Sequence, residues 1–366
     1  MIRLREVFRE AWRDTATGTS RALLALVLFA AGVGAAGWSQ AVGVKSVAQD
    51  AAAWVEAGAA VRIVEFPGLV DGAQCEALSQ TAGVAASGAL RAGPELRLAA
   101  LPSRTLTAFE ATPGMGELLN LRTPEPSSGL GVWLSQDLAA AMAARPGSTM
   151  AVLSAPGRVA VAGVFPFPDD DGRNPLLAYS VVEPVAAAGV FDACWVELWP
   201  ERTQTAALAT LVANPVIAES GGATMTPEVR YLNASLGVEF DARGRLERLP
   251  TRGLLGAACL FALALGFGLI RLRRLELASS LHAGIAKPAL AAQMLVEAAT
   301  WVGPACLALA PLLWWAAARN NPDPPWLALF LAAQTVALAS LAVLLGTLAA
   351  TLAVREKHLF KTMKNR

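Results

Sequence analysis

Histidine and lysine are scarce in this sequence of 366 residues. The two histidines are His282 and His358, so the chain before His282 has no imidazole for a serine–histidine or cysteine–histidine nucleophile pair, or for a metal site. No lysine follows a glycine, which excludes the G-x-x-x-x-G-K-S/T loop that binds nucleotide phosphates. We therefore expect the chain to have no catalytic residues and to bind no cofactor or metal of its own.

Charge is also scarce, because 16% of the residues are charged and 55% are hydrophobic, with a mean hydropathy of +0.46. Residues 22–38, 253–270 and 326–354 carry no charge, and residues 289–318 carry only Glu297. Each stretch is long enough to cross a hydrocarbon core of about 30 Å at about 1.5 Å per residue. The sequence therefore predicts a membrane protein with four transmembrane α-helices, at 21–42, 252–271, 289–318 and 326–354.

The remaining charges are divided unevenly along the chain. Residues 1–21, 271–288 and 355–366 together contain 14 basic and 5 acidic residues, whereas residues 41–252 contain 15 basic and 22 acidic residues. Because basic segments stay on the cytoplasmic side, we expect both termini and the loop 272–288 to face the cytoplasm of a multi-pass cell-membrane protein. Residues 43–250 then form an extracytoplasmic domain between helices 1 and 2, and 319–325 a short outer loop.

The first 20 residues have two interpretations. Leu4, Phe8 and Trp12 fall on one face of a helix, with arginines elsewhere, which is typical of an amphipathic helix on the inner membrane surface. The alternative is a cleaved signal peptide, but such signals have a short basic lead and an apolar core of roughly 7 to 15 residues. The longer lead and the longer apolar run favour a cytoplasmic amphipathic helix at 1–20. The tail 355–366 is predicted to be cytoplasmic as well.

Short strand and helix patterns alternate through the outer region, which predicts a mixed α+β domain. The clearest unit is 131–166, a strand followed by a helix that Ser135 is placed to cap, and then by two strands at 148–154 and 158–165. Asp71 is placed to cap an earlier helix, and 203–212 has a helical pattern. The aspartates 169–171 lack the spacing of a calcium loop, so a solvated turn is favoured over a cation site.

The four cysteines fall into two pairs. Cys259 and Cys306 lie in predicted spans, where thiols act as small apolar groups. Cys75 and Cys194 lie in the predicted outer domain, where a disulfide can persist. A bridge between Cys75 and Cys194 and two unrelated buried thiols are both compatible with the sequence.

The basic segment 271–298 joins the second predicted span to the third. Its arginines can be read as a positive-inside loop that only fixes topology. The other reading is a short cytoplasmic coupling helix that a moving partner binds, because Leu275, Ala278 and Leu281 form a helical pattern before Gly284. In that reading the glycine allows a tight bend and close approach of a partner.

Several features of the chain together resemble the permeases of the MacB, FtsX and LolC/LolE group, the mechanotransmitting type VII ABC transporters. The order of one span, an outer domain and three spans is that of the family. The family's R-R-x-E motif matches Arg273, Arg274 and Glu276, and its spacings to a glycine and to an E-A pair match Gly284 and Glu297. The family's A-L-G-A-S segment reads Leu281-His282-Ala283-Gly284-Ile285 here, and the segment 131–166 resembles the family's outer domain.

The resemblance implies a permease subunit whose partner, an ABC ATPase present in two copies, binds ATP and Mg. It also implies a second permease, identical or different, and an extracytoplasmic adaptor, lipoprotein or hydrolase, with no nucleic acid. Such a complex exports or extracts a lipid, lipoprotein, peptide or drug-like substrate; the alternative is FtsX-like signalling that activates a cell-wall hydrolase. The residues expected to couple the chain to the ATPase are Arg273, Arg274, Glu276, Leu281, His282, Ala283, Gly284 and Glu297.

Overall fold

A computed structural model describes residues 21–122, 131–153, 157–168, 170–200 and 227–355. The chain divides into two compact units, one formed by Met1–Asp50 with Asp241–Arg366 and the other by Ala51–Phe240. We refer to them as the helical unit and the α/β unit. The predicted helices at 1–20 and 203–212, and all of the tail after Arg355, lie outside the described residues.

Helices occur in both units. In the described residues they are α1 (Ala22–Glu56), α2 (Gly72–Ala77), α3 (Met115–Leu118), α4 (Gln136–Ala141), α5 (Ala242–Arg248), α6 (Thr251–Leu272), α7 (Arg274–His282), α8 (Lys287–Ala318) and α9 (Trp326–Leu352). Four of these segments are long and apolar enough to cross a membrane: α1, α5 with α6, α8 and α9. The prediction of four apolar helices with a mixed domain between the first and second is confirmed.

The first helix is longer than the span predicted for it. The 35 residues of α1 extend about 52 Å at about 1.5 Å per residue, whereas the predicted span ended at residue 42. The additional part contains no proline and is rich in alanine, so nothing in its sequence ends the helix at the point where hydropathy falls. The helix begins in the helical unit, and its last residues belong to the α/β unit.

Helices α6 and α9 approach each other closely through two glycines. A Cβ atom added at Gly266 would overlap the carbonyl oxygen of Val343, and one added at Gly346 would overlap the carbonyl oxygen of Leu263. Small residues at such crossings allow the two backbones to come into van der Waals contact. In a membrane this close packing drives helix association, because lipid tails are apolar and provide no hydrophobic driving force.

A buried polar contact ties three segments of the helical unit. The side-chain amide of Gln40 donates to the carbonyl oxygen of Thr251 at 3.1 Å, and the Thr335 hydroxyl donates to Gln40 Oε1 at 2.7 Å. Gln40 and Thr335 are almost fully buried. Because both polar ends of the Gln40 amide are satisfied, burying it is not penalised, and the contact fixes α1 against the start of α6 and the middle of α9.

The α/β unit is built on one mixed sheet. In the described residues its strands are β1 (Val61–Asp71), β2 (Val84–Ala92), β3 (Leu96–Arg97), β4 (Thr105–Ala111), β5 (Val132–Ser135), β6 (Thr149–Ala151), β7 (Arg158–Phe165), β8 (Ser180–Pro184), β9 (Val190–Leu198) and β10 (Glu228–Tyr231). Across the sheet the order is β10-β1-β9-β2-β4-β8-β5-β7-β6, with β3 beside β4. The β4–β8 and β5–β7 pairs are parallel and the others are antiparallel.

The two predicted helix caps have different outcomes. Asp71 caps α2 as expected, since its Oδ1 accepts from the backbone N–H groups of Ala73 and Gln74 at 2.9 and 3.0 Å. Ser135 occupies the capping position of α4, but its hydroxyl makes no bond to that helix. The Ser135 oxygen instead accepts from the backbone N–H of Ser180 at 3.2 Å. The prediction for Ser135 was wrong because a neighbouring strand, distant in sequence, supplies a competing donor.

The aspartate run forms an ion-paired turn in the part that the structure describes. The Asp171 carboxylate accepts from Arg173 Nε at 2.8 Å, and the Arg173 guanidinium lies over the Phe167 ring. Within the described residues, no group of three or more metal-ligating side chains is placed to hold a metal ion. Asp169 lies outside those residues.

Cys75 and Cys194 form a disulfide that links α2 to β9. Their Cα atoms are 5.8 Å apart, within the usual range for such a bond. Both side chains are fully buried in an apolar cluster with Val64 and Val196. Cys259 and Cys306 are free thiols in the helical unit.

Replacing both Cys75 and Cys194 with alanine is expected to lower the free energy of unfolding by about 2–5 kcal/mol, because the bridge closes a long loop in the unfolded chain. Thermal unfolding of the purified chain measures the loss. Under denaturing, non-reducing conditions the wild type should expose two reactive thiols, and the Cys259→Ala/Cys306→Ala control none. Four reactive thiols in the wild type would refute the bridge.

Candidate functional site

The segment that the sequence singled out is a short helix between two long ones. Helix α7 follows α6 after the single residue Arg273 and leads through 283–286 into α8. Its Leu277, Ala278 and Leu281 are buried against Ile270 and Met294 of the flanking helices. The positions i, i+1 and i+4 form one helical face, so α7 is fixed by apolar packing along one side.

A three-membered charge cluster holds the start of α7. Arg273 Nη1 lies 2.6 Å from Glu297 Oε1 on α8, while Arg273 Nε and Nη2 donate to the two oxygens of Glu276 at 2.9 and 2.7 Å. The side chains of Arg273 and Glu297 are 11% and 8% exposed, compared with 54% for Glu276. The planar guanidinium can serve two carboxylates at once because its donors point in several fixed directions.

The hydrogen bonds between Arg273 and Glu276 favour the charged form of both groups. The hydrogen bond from Arg273 holds the pKa of Glu276 below its usual value, and the hydrogen bond to Glu276 raises the pKa of Arg273 above its own. A carboxylate with a lowered folded-state pKa contributes stability above its unfolded value. That contribution disappears as the pH falls through the lowered pKa. The Arg273–Glu276 pair is therefore lost only in acid.

Gly284 ends α7 rather than bending it from within. Its φ is +88°, in the left-handed region that favours glycine. The backbone N–H of Ile285 donates to the carbonyl oxygen of Ser280 at 3.2 Å, which is the closing bond of a Schellman cap. The glycine therefore provides a tight turn at the end of α7, and the approach of a partner at this turn stays a prediction.

Exposed residues of α7, of the loop after it and of the first turn of α8 form a surface that we call the elbow surface. It combines basic and apolar groups, with Leu275 and Ile285 each 43% exposed. A Cβ atom added at Gly284 would meet nothing within 4 Å, so the loop backbone is open on that side. The elbow surface comprises Arg274, Leu275, His282, Ala283, Gly284, Ile285 and Lys287.

The structure sorts the residues predicted for the coupling segment into two groups. It brings Arg273, Glu276 and Glu297 together in one charge cluster, and it buries Leu281 in the apolar cluster between α7 and the flanking helices. It leaves Arg274, His282, Ala283 and Gly284 exposed. Sequence spacing alone did not distinguish Arg273 from Arg274, because both are basic and adjacent. In the structure, the side chain of Arg273 pairs with Glu297 on α8, whereas Arg274 is exposed.

Sequence reasoning marked no ligand pocket in the α/β unit, and the structure contains one. A cleft of about 180 Å³ lies on one face of the sheet, with Trp195 among its lining residues. Successive side chains of β9 point to opposite faces of the sheet, which places Trp195 and Cys194 on different faces. No local pattern marks the cleft, because Asn174 and Leu176, from a separate 3₁₀ turn (Pro175–Leu177), line it together with residues of the strands.

No family model and no curated protein matches the sequence. The chain is similar to the solved periplasmic region of MacB from Actinobacillus actinomycetemcomitans, with 10% identity over 48% of this chain and 89% of that one, at a TM-score of 0.33. It is also similar to the extracellular domain of the noncanonic ABC-type transporter YknZ from Gram-positive bacteria, with 13% identity, coverages of 46% and 98%, and a TM-score of 0.31. At these identities and TM-scores, neither likeness assigns a function to this chain.

Glu297→Gln should destabilise the helical unit more than Glu276→Gln does. Breaking a buried ion pair costs about 3–5 kcal/mol, whereas an exposed partner contributes about 1 kcal/mol or less. Glutamine preserves the shape in both variants, so the comparison isolates the charge. The Tm of the purified protein measures the effect, and equal decreases for the two variants would contradict the assignment of Glu297 as the buried support.

Proposed function

We propose that this chain is the permease subunit of an ABC transporter complex, in which a separate ATPase subunit binds the elbow surface. The observation that carries the proposal is the arrangement of α7. Its inner side is fixed to α6 and α8 by Arg273 and buried leucines, and its outer side exposes a basic and apolar surface. A partner that pushes this surface moves the ends of two apolar helices with it.

The architecture gives such a movement two covalent routes to the α/β unit. Helix α1 continues without a break from Ala22 to Glu56. The other route is α5, which leads directly into α6. An ion pair joins the two routes, since the carboxylate of Asp50 on α1 lies 3.0 Å from Arg245 of α5. Rigid helices transmit displacement with little loss, as in the rigid-body class of switching transitions. The α/β unit is then the part of the chain that acts on the substrate.

In this proposal, ATP and Mg bind two copies of the partner ATPase, and a second permease completes the complex. The apolar spans suit a protein that moves its extracytoplasmic domain rather than one that conducts ions, since Glu297 is engaged by Arg273. The cargo class is a lipid, lipoprotein, peptide or drug-like molecule. Purification from the native membrane tests the partner directly, and a complex that lacks any nucleotide-binding subunit would contradict the proposal.

Gly284→Val is expected to uncouple the partner ATPase without preventing membrane insertion. A β-branched residue at φ +88° costs about 1–2 kcal/mol or more, which lowers the equilibrium constant for forming the native turn by about tenfold. ATPase activity of the reconstituted complex should lose its dependence on this chain. Gly303→Val is the matched control, since Gly303 also has open space around it but lies within α8. Full coupling in Gly284→Val would count against the elbow surface.

The orientation of the chain can be tested with two exposed serines. Ser79 lies in the α/β unit and Ser279 on α7. With Cys259 and Cys306 replaced by alanine, Ser79→Cys should react with a membrane-impermeant maleimide on cells whose cytoplasmic membrane is intact but accessible from outside. Ser279→Cys should react only after the cytoplasmic membrane is also permeabilised. The reverse pattern would place the elbow surface on the wrong side for an ATPase.

A further inference from the structure

The end of α1 belongs to the α/β unit, and its last carbonyl groups need hydrogen-bond donors. The last four carbonyl groups of an α-helix have no donor within the helix. Two are satisfied locally, since the backbone N–H of Gly58 donates to Val55 at 2.8 Å and that of Ala59 donates to Trp54 at 3.2 Å. These are the two bonds of a Schellman cap, and Gly58 has the positive φ that this cap requires, +76°.

The other two carbonyl groups accept from side chains that are 117 and 176 residues away in sequence. Arg173 Nη2 donates to the carbonyl oxygen of Glu56 at 3.1 Å, and Asn233 Nδ2 donates to that of Ala57 at 3.0 Å. Asn233 is fully buried, and the Arg173 side chain is 10% exposed. We call these two contacts the α1 joint. Because water has little access to them, losing either donor leaves a carbonyl group without a partner.

The donors of the α1 joint are themselves fixed to the sheet. Arg173 Nε donates to Asp171 Oδ2 at 2.8 Å, and Asn233 Nδ2 also donates to the carbonyl oxygen of Asp171 at 3.0 Å. The backbone N–H of Leu232, directly before Asn233, donates to the carbonyl oxygen of Val61 in β1 at 3.1 Å. The aspartate run that was predicted to be a solvated turn therefore helps to connect α1 to the sheet.

The α1 joint resists rotation of the helix as well as separation from the sheet. Successive residues of an α-helix lie about 100° apart around its axis, because one turn takes 3.6 residues. Glu56 and Ala57 are successive, so their carbonyl groups lie at different points around the axis, and each is held by a donor from a different segment. A rotation of α1 about its axis would move both carbonyl groups away from their donors.

We infer that the end of α1 and the sheet of the α/β unit form one rigid body, joined by Arg173 and Asn233, so that the sheet follows any movement of α1. Arg173 and Asn233 are positioning residues, because they act through the end of the helix. The source of the movement rests on the proposed function. The α1 joint belongs to this chain alone, so a test on the chain without an ATPase can refute the joint and leave the proposed function standing.

The test uses the full chain in lipid nanodiscs, with Cys259 and Cys306 replaced by alanine. Spin labels are attached at Ala53→Cys on α1 and Ala141→Cys on α4, two exposed positions of the α/β unit. Helix α4 follows β5 directly, and four strands separate β5 from β1. Five spacings of about 4.8 Å between strands make roughly 24 Å, a distance that double electron–electron resonance measures.

The wild-type pair should give one narrow distance distribution, and Asn233→Ala should broaden it. Hydrogen exchange of the amides of Ala57, Gly58 and Ala59 should become about tenfold faster in that variant, as expected for the loss of a buried hydrogen bond. Asn174→Ala is the matched control, because the Asn174 oxygen accepts from Leu176 in its own turn, and it should leave both readouts unchanged. A distribution as narrow in Asn233→Ala as in the wild type would overturn the inference.

A second variant decides the matter if Asn233→Ala does not fold. Arg173→Lys keeps a positive charge beside Asp171, but a single ammonium lacks the fork of donors that reaches both Asp171 and Glu56. This variant should also broaden the distribution. A narrow distribution in Arg173→Lys would refute the α1 joint. Equal broadening in Asn174→Ala would also refute it, because the loosening would then be general to the unit.

Discussion

The contact on which the helical unit depends is the one between Arg273 and Glu297. A guanidinium and a carboxylate, both nearly removed from solvent, meet at 2.6 Å where α6 turns into α7 and α8 passes beside them. Either charge alone would be costly in this environment, so each requires the other. The position of α7 follows from this pair, because Arg273 precedes the helix directly and the buried leucines then have one side on which to pack.

The same contact separates structural from exposed residues within one short motif. Arg273 and Glu276 are adjacent to Arg274 and Leu275 in sequence, yet the first two are engaged in the cluster and the other two face outward. A motif of this kind therefore performs two tasks. Some of its residues hold the helix, and the others provide a surface that a partner can bind. Substitutions in the two groups should have different consequences, one for stability and one for association.

The α/β unit has a comparable division between support and surface. The disulfide of Cys75 and Cys194 and the apolar cluster around it lie on one side of the sheet. The opposite side carries Trp195 and the cleft. Because a strand sends alternate side chains to opposite faces, β9 contributes Cys194 to one and Trp195 to the other. One strand thus both anchors the domain and lines the cleft.

Hydropathy and charge along the chain were enough to predict the four apolar helices and the mixed domain between the first two. Hydropathy and net charge are summed over neighbouring residues, so both can be evaluated without knowledge of the fold. Only the tertiary structure decided three other features. Arg273 pairs with Glu297, the Ser135 hydroxyl accepts a hydrogen bond from Ser180 of a neighbouring strand, and Trp195 lines a cleft. Each feature depends on groups that are far apart in sequence. A local pattern does not show which of several equivalent donors will lie within hydrogen-bonding distance, about 3 Å, of a given acceptor.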